Sequence, residues 1–315
     1  MIDITSKDED GGSREGPQPS KFSDHASRLI FGSCNSQHYE QPFWKIIGER
    51  NPAAFVWTGD SVYADDRPKQ SVGGRELHSG NLDSASWWWP SLSRVRSRSP
   101  GYADATPDYL RELYRQQLEV PEYRDLITGG GISIFGALDD HDYGTNNGDK
   151  TFPFRTQSGI EFTRFLGLDD RSSAMARRAS RGAGVYGVQV YDFSSAKGRL
   201  LSDADAGLDP DVIPDATYRD RRNDSGDNNG GSSSNNSDKL VAVFVLDVRS
   251  NKTPWAKGFP ERYALNPEGD FLGEDQWKWF ETAIGRSNAR VNIIVSGIQV
   301  HAPWFYDSNK IENWR

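Results

Sequence analysis

The stretch Leu-Asp-Asp-His-Asp-Tyr-Gly-Thr-Asn-Asn, residues 138–147, places four consecutive ionisable side chains directly after an apolar run at 132–138. A short apolar run of this kind is typical of a buried strand. In an open α/β sheet, ligands bind outside the carboxyl ends of the strands. The four side chains that we expect at such a strand end are Asp139, Asp140, His141 and Asp142.

The side chains of this stretch suit two kinds of role. Carboxylates bind hard cations, and imidazole serves either as a metal ligand or in proton transfer. Asn146 and Asn147 add neutral oxygen ligands. The same residues would also fit a polar loop in which an aspartate caps the next helix. This stretch alone leaves both interpretations open.

Other apolar runs repeat the pattern, at 28–31, 53–58, 185–192, 240–246 and 291–295. Helical spacing of apolar residues separates them at 41–49, 108–120, 152–168 and 273–285. The alternation predicts an α/β sheet. Several runs end in a thiol or a carboxylate, namely Cys34, Asp60 and Asp247. Several such residues together favour a metal site at one edge of the sheet over simple helix capping.

Composition limits the classes of partner. The 315 residues carry a formal net charge of -8, which argues against nucleic acid and anionic membrane surfaces. The single cysteine, Cys34, excludes an intramolecular disulfide. No apolar run approaches the length of a membrane span, and no signal peptide is visible in the polar first 27 residues. Compartment and oligomeric state stay open.

Three polar segments are expected around one main domain. Residues 1–27 are predicted to be a disordered lead-in to a domain at 28–315. An insert at 67–107 contains Trp87 to Trp89, which would either line a substrate rim or pack the insert against the domain. Residues 202–238 contain a Gly/Ser/Asn-rich run and are predicted to be a flexible loop.

Two motifs together resemble the PhoD-like alkaline phosphatases, a branch of the calcineurin-like metallophosphoesterases. They are Gly-Asp-Ser-Val-Tyr-Ala-Asp at 59–65 and Asp-Asp-His-Asp-Tyr-Gly-x-Asn at 139–146. Either motif alone would be weak, whereas the pair is quite specific. Further similar pieces occur in the family's order at 31–34, 246–249, 273–279 and 295–300, so the resemblance covers roughly residues 28–305.

The resemblance implies a four-layer α/β/β/α sandwich with metals at the strand ends. It implies that Cys34 and Tyr63 bind iron and that the Asp60 carboxylate bridges two metals. Asp140 and Asn146 match further metal-site positions, and His141 matches the acid near the leaving group. A thiolate and a phenolate favour a trivalent iron, although ligand softness alone would also allow zinc.

The activity that the resemblance implies is metal-dependent hydrolysis of phosphate esters, monoesters and often diesters, by a metal-bound hydroxide at a multinuclear site. Such enzymes use iron with calcium, or other divalent ions such as zinc, manganese or magnesium. Their partner is therefore a small phosphate ester. Two metal ions about 3.5–4 Å apart can hold the nucleophile and neutralise the phosphoryl oxygens.

The sequence departs from the family at its end. The family usually carries a later Gly-Asp-Val-His segment, and we expect the chain to be truncated before it. This departure supports an alternative, a catalytically weak phosphate- or metal-binding relative. Thiol nucleophile chemistry by Cys34 with His141 and a purely structural role are further alternatives, in which Tyr63 would be a core aromatic.

Overall fold

The computed structural model describes most of the central chain. The described residues are 28–37, 39–65, 104–129, 131–195, 197–214, 217, 236–255, 266–300 and 314. The predicted lead-in at 1–27, most of the insert at 67–107 and most of the predicted flexible loop at 202–238 lie outside them.

A first sheet contains three parallel strands in the order β1-β2-β3. The strands are β1 (Leu29–Gly32), β2 (Ala54–Thr58) and β3 (Ser133–Ala137). Parallel neighbours require crossover connections, which helices commonly provide. Helix α1 (Phe43–Glu49) follows β1, and helices α2 (Pro107–Glu119) and α3 (Pro121–Thr128) precede β3.

The middle of the chain is helical and leads into a second sheet. Its helices are α4 (Asp140–Tyr143), α5 (Arg155–Phe165) and α6 (Ala174–Ser180), and a further short helix, α7 (Asp203–Ala206), follows the first two strands of the second sheet. The second sheet has the order β5-β4-β6-β7, in which β6 and β7 are parallel and β4 runs antiparallel to β6. Its elements are β4 (Gly187–Asp192), β5 (Arg199–Leu200), a 3-10 turn (Asn236–Lys239), β6 (Leu240–Leu246), α8 (Glu274–Arg286) and β7 (Val291–Ser296).

Strand β6 contributes to two hydrophobic cores. Val241, Val243 and Val245 belong to the core that also contains the first sheet. The alternate residues Ala242, Phe244 and Leu246 pack in a second core with α8. Successive strand side chains point to opposite faces, so β6 is apolar on both sides and has no solvent face. The two sheets therefore share one core, and α8 covers the far side of the second sheet.

Two helices differ from the sequence-based expectation. The helix predicted at 108–120 is observed as α2, which ends at Glu119, whereas α3, which Pro121 begins, was not predicted. Proline fits the first helical position, because its missing N–H would have no partner there. The arginine-rich segment 172–184 contains α6, whose Ser173 side chain caps the helix by accepting from the backbone N–H of Ala176.

The first part of the predicted flexible loop packs against the domain. Arg178 of α6 is 1% exposed and pairs with Asp209 at 2.8 Å and with Asp211 at 2.6 Å. The neighbouring Leu208 is buried in the second core. Within the described ranges, none of the helices combines the length and the hydropathy that crossing a membrane requires.

Candidate metal centre

The carboxyl ends of the first three strands bring the predicted site residues to one edge. Cys34 follows β1, Asp60 follows β2, and Asp140 begins α4 shortly after β3. The backbone N–H of Cys34 donates to Gly59 O at 3.4 Å, which ties the first two strand ends together. Parallel strands in register end at a common edge, so residues far apart in the chain meet there.

Asp60, Asp140 and His141 form a candidate cation site. A carboxylate oxygen of each aspartate and a ring nitrogen of His141 lie within 4.8 Å of one another. Metal–oxygen and metal–nitrogen bonds are about 2.0–2.6 Å long, so one ion between these atoms could contact all three. The ligand types suit a divalent or trivalent cation, and the local excess of carboxylates favours a positive charge.

Cys34 and Tyr63 lie beside Asp60. The Cys34 Sγ is 3.8 Å from Asp60 Oδ2, and the Tyr63 hydroxyl donates to the same oxygen at 3.4 Å. Asn146 lies in the turn after α4, where the next residue, Asn147, donates its backbone N–H to Asp140 Oδ2 at 2.7 Å. Three of the four other predicted metal-site residues, Cys34, Tyr63 and Asp140, are therefore grouped around Asp60, and the ligand role of Asn146 stays a prediction.

Several strand-end carboxylates support the backbone and do not face this group. Asp142 accepts from Ser61 N and Ser61 Oγ, both at 2.9 Å, and from Asp139 N at 2.5 Å. Asp247 is fully buried and accepts from three backbone N–H groups, those of Val185, Arg249 and Ser250. Asp142 belongs to the capping box that begins α4, so the helix-capping interpretation holds for part of the pattern, whereas Asp247 fixes a loop.

Arg249 joins the second sheet to the site, a role that the sequence did not predict. It is 1% exposed, and its Nε donates to Asp139 Oδ1 at 2.6 Å. Its Nη2 lies 3.8 Å from Asp140 Oδ1, and its Nη1 donates to Gly148 O at 3.2 Å. Asp139 in turn packs so closely on Gly59 that a Cβ there would lie 2.5 Å from its own Cβ. Arg249 therefore holds Asp139 and Asp140 in place.

Negative charges predominate around Asp60. Burial, followed by the charges of Asp139 and Asp140, raises the pKa of Asp60 well above its ordinary value. Burial acts in the same direction on Asp140, but Arg249 and His141 outweigh it and lower the pKa of that carboxyl. A cation bound between Asp60 and Asp140 would relieve the repulsion, which supports the fit of a metal to these residues.

His141 is paired with a carboxylate that the sequence analysis did not assign. Its Nδ1 lies 2.7 Å from Oδ1 of the buried Asp65, and the Tyr63 ring stacks on the imidazole with centroids 4.2 Å apart. A carboxylate on one ring nitrogen fixes the orientation and tautomer of a histidine that binds metal or transfers a proton. Burial lowers the pKa of His141, but Asp65, Asp140 and Asp60 together raise it to about 10.

We expect Asp65→Asn to lower the pKa of His141 in the metal-free chain. The amide removes the charge beside the ring, so the pKa should fall from about 10 toward the ordinary value for histidine, ~6.5. An NMR titration of the imidazole resonances measures the shift, and His141→Gln identifies which of the five histidines is observed. An unchanged pKa would mean that Asp140 and Asp60, without Asp65, keep the ring protonated.

The described residues thus define a mixed α/β fold with two sheets and a candidate metal centre at the carboxyl edge of the first. This fold matches a solved structure of PhoD over 91% of the chain, with a TM-score of 0.50 and 15% sequence identity. The resemblance to PhoD predicted from the two motifs is therefore confirmed at the level of the fold. The chain spans 45% of the length of that PhoD chain. No family model and no curated protein matches the sequence.

Proposed function

We propose that this chain is a PhoD-like metal-dependent hydrolase of phosphate esters, acting on monoesters and also on diesters. The observation that carries the proposal is the grouping of Asp140, His141, Cys34 and Tyr63 around the buried Asp60, at the carboxyl edge of a sheet in a PhoD-like fold. The apolar core shared by the two sheets supports the finer assignment to a four-layer α/β/β/α sandwich.

The ligand chemistry divides the proposed site in two. Cys34 and Tyr63 would offer anionic ligands to iron, Asp140 and Asn146 would offer oxygens to calcium or another divalent ion, and the Asp60 carboxylate would serve both ions. Metal ions bound there would lower the pKa of water and neutralise charge on the phosphoryl group. The residues of the chain fix the positions of those ions, and Arg249 orients the Asp140 carboxylate.

His141 is proposed to protonate the leaving oxygen of the ester. Its Asp65 partner holds one ring nitrogen, and the stacked Tyr63 ring limits rotation of the imidazole. In the metal-free chain a pKa of about 10 keeps this ring protonated at neutral pH, the state from which a general acid donates. Thiol chemistry is less well supported, because partial burial and the Asp60 carboxylate raise the pKa of Cys34 and disfavour a thiolate in the metal-free chain.

The proposal is tested by assaying the purified 315-residue chain with p-nitrophenyl phosphate and bis(p-nitrophenyl) phosphate. We expect no hydrolysis after metal removal, and activity after addition of iron plus calcium or of zinc, manganese or magnesium. The ratio of monoester to diester rates would define the substrate class. A folded chain that binds metal without hydrolysing either ester would instead be a binding relative.

A further inference from the structure

Three uncharged amide side chains form a buried cluster next to the candidate metal centre. They are Asn35 and Gln41, each 6% exposed, and Gln117, which is fully buried. Gln41 and Gln117 donate to each other's side-chain oxygen at 2.9 Å, and Asn35 Nδ2 donates to Gln117 Oε1 at 2.8 Å. Buried amides that satisfy one another in this way hold a unique arrangement, because any unmade bond would be costly.

Each hydrogen bond of the cluster has a defined donor and acceptor. The Trp44 indole can only donate a hydrogen bond, and it donates to Gln41 Oε1 at 2.5 Å. That contact fixes which end of the Gln41 amide is the acceptor, and hence the orientation of Gln117 and of Asn35. This series of hydrogen bonds ends at the backbone, where Asn35 Nδ2 donates to Ser61 O at 3.1 Å.

Asn35 joins the two loops that carry candidate ligands. It directly follows Cys34, and its backbone N–H donates to Asp60 O at 2.8 Å. Together with the side-chain bond to Ser61, this places one amide residue across the gap between the ends of β1 and β2. The distance between the Cys34 thiol and the Asp60 carboxylate therefore depends on Asn35.

Both ligand residues have backbones that need such support. Cys34 has a φ of 57° and Asp60 a φ of 52°, a left-handed conformation that residues other than glycine seldom adopt. Backbone strain of this kind persists only where surrounding contacts determine the conformation. The bonds made by Asn35 fall on Asp60 and on the next residue, Ser61, and Asn35 directly follows Cys34. The bonds between Gln41 and Gln117 orient Asn35.

We propose that Gln117 is a positioning residue for the candidate metal centre, acting through Asn35 to hold Cys34 and Asp60 at the separation that a shared metal requires. The presence of a metal in this inference rests on the proposed function. The positioning role rests on the hydrogen bonds of the three amide side chains. Gln117 lies on α2, 82 residues from Asn35 in the chain, and touches no candidate ligand itself. Its effect on a metal is therefore indirect.

The test compares Gln117→Met with Tyr123→Phe. Methionine keeps the volume and removes the amide, whereas Tyr123→Phe removes a buried bond from Trp57 Nε1 (3.2 Å) that lies outside the amide cluster. In the metal-free chains, hydrogen exchange is measured for peptides covering 33–37 and 59–61. A cobalt(II) titration of each chain measures the affinity for cobalt and the intensity of the thiolate-to-cobalt absorption band. Cys34 is the single cysteine, so that band reports on Cys34.

We expect Gln117→Met to speed exchange in both loops, to weaken cobalt binding by about 10-fold and to diminish the band, as for other residues that support ligands. Tyr123→Phe should change none of these. Gln41→Met removes one partner of Gln117 and should give smaller changes in the same direction. If Gln117→Met does not fold, Gln41→Met is used as the test variant in its place. Equal exchange in Gln117→Met and Tyr123→Phe would overturn the inference. Faster exchange in Gln117→Met, together with a parent chain that binds no cobalt, would support the loop contact and overturn the metal assignment instead.

Discussion

Asp60→Asn is expected to abolish metal-dependent hydrolysis by this chain. Asp60 is the residue that Cys34, Tyr63 and the backbone of His141 all contact, so its loss affects every part of the proposed site. A metal ion supplies several kcal/mol of transition-state stabilisation. Because each ~1.4 kcal/mol is a factor of ten in rate, kcat should fall on the order of 10³-fold in the p-nitrophenyl phosphate assay.

The same substitution should have the opposite effect on the stability of the metal-free chain. Asp60 has a raised pKa in the fold, so the free energy of unfolding decreases as the pH rises from the ordinary pKa of an aspartate to this raised pKa, and a neutral amide avoids that loss. Asp60→Asn should therefore raise the metal-free Tm at neutral pH and remove the further rise that metal gives the parent. Asp192→Asn alters a buried carboxylate at the end of the antiparallel β4 and should keep full activity. Unchanged activity in Asp60→Asn would exclude the proposed site.

Arg249→Met is expected to destabilise the metal-free chain by about 3–5 kcal/mol, the loss typical of removing one partner of a buried ion pair. Arg249 is the cation that contacts both Asp139 and Asp140, and methionine would leave those carboxylates without it in a buried setting. Urea unfolding followed by tryptophan fluorescence would measure the change in the free energy of unfolding.

Two comparisons make this expectation specific. Arg115→Met removes an exposed arginine paired with Glu112 and Glu119, where the loss should be below about 1 kcal/mol. Adding Asp139→Asn to Arg249→Met removes the negative charge that has lost its Arg249 partner, and it should recover part of the free energy of unfolding. A loss for Arg249→Met as small as that for Arg115→Met would show that the pair does not hold the strand ends together.

Strands β2 and β6 could be predicted from sequence because they are almost entirely buried. The run at 240–246 is apolar on both faces, and the observed β6 has the same bounds, Leu240–Leu246. Runs that serve two cores carry no polar residue to obscure them. The candidate ligands also meet at one edge of the sheet as expected, because β1, β2 and β3 are parallel and their carboxyl ends coincide.

The helices were harder to predict where tertiary contacts override local signals. Pro121 stands between two helices and is equally compatible with an end and a beginning, so α3 was missed. Helix α6 was missed because its arginines indicate an exposed polar segment. Arg178 is nevertheless buried, stacked over Tyr186 at 4.6 Å and paired with Asp209.

The candidate ligands were found from sequence, but the residues that support them were not. Cys34, Asp60, Asp140 and His141 follow strands in recognisable motifs. Their supporting contacts join residues far apart in the chain: Asp65 to His141 over 76 positions, Asn35 to Gln117 over 82, and Asp139 to Arg249 over 110. No local periodicity encodes a contact at such separations, so only the folded arrangement reveals it.

The left-handed backbones of Cys34 and Asp60 bear on how this sequence is maintained by selection. Glycine at either position would relieve strain worth about 1–3 kcal/mol per residue. Selection for stability alone would therefore drive both positions toward glycine. A lineage that had lost the activity should show this drift at 34 and 60 together, whereas one that keeps cysteine and aspartate retains strained residues in favour of function.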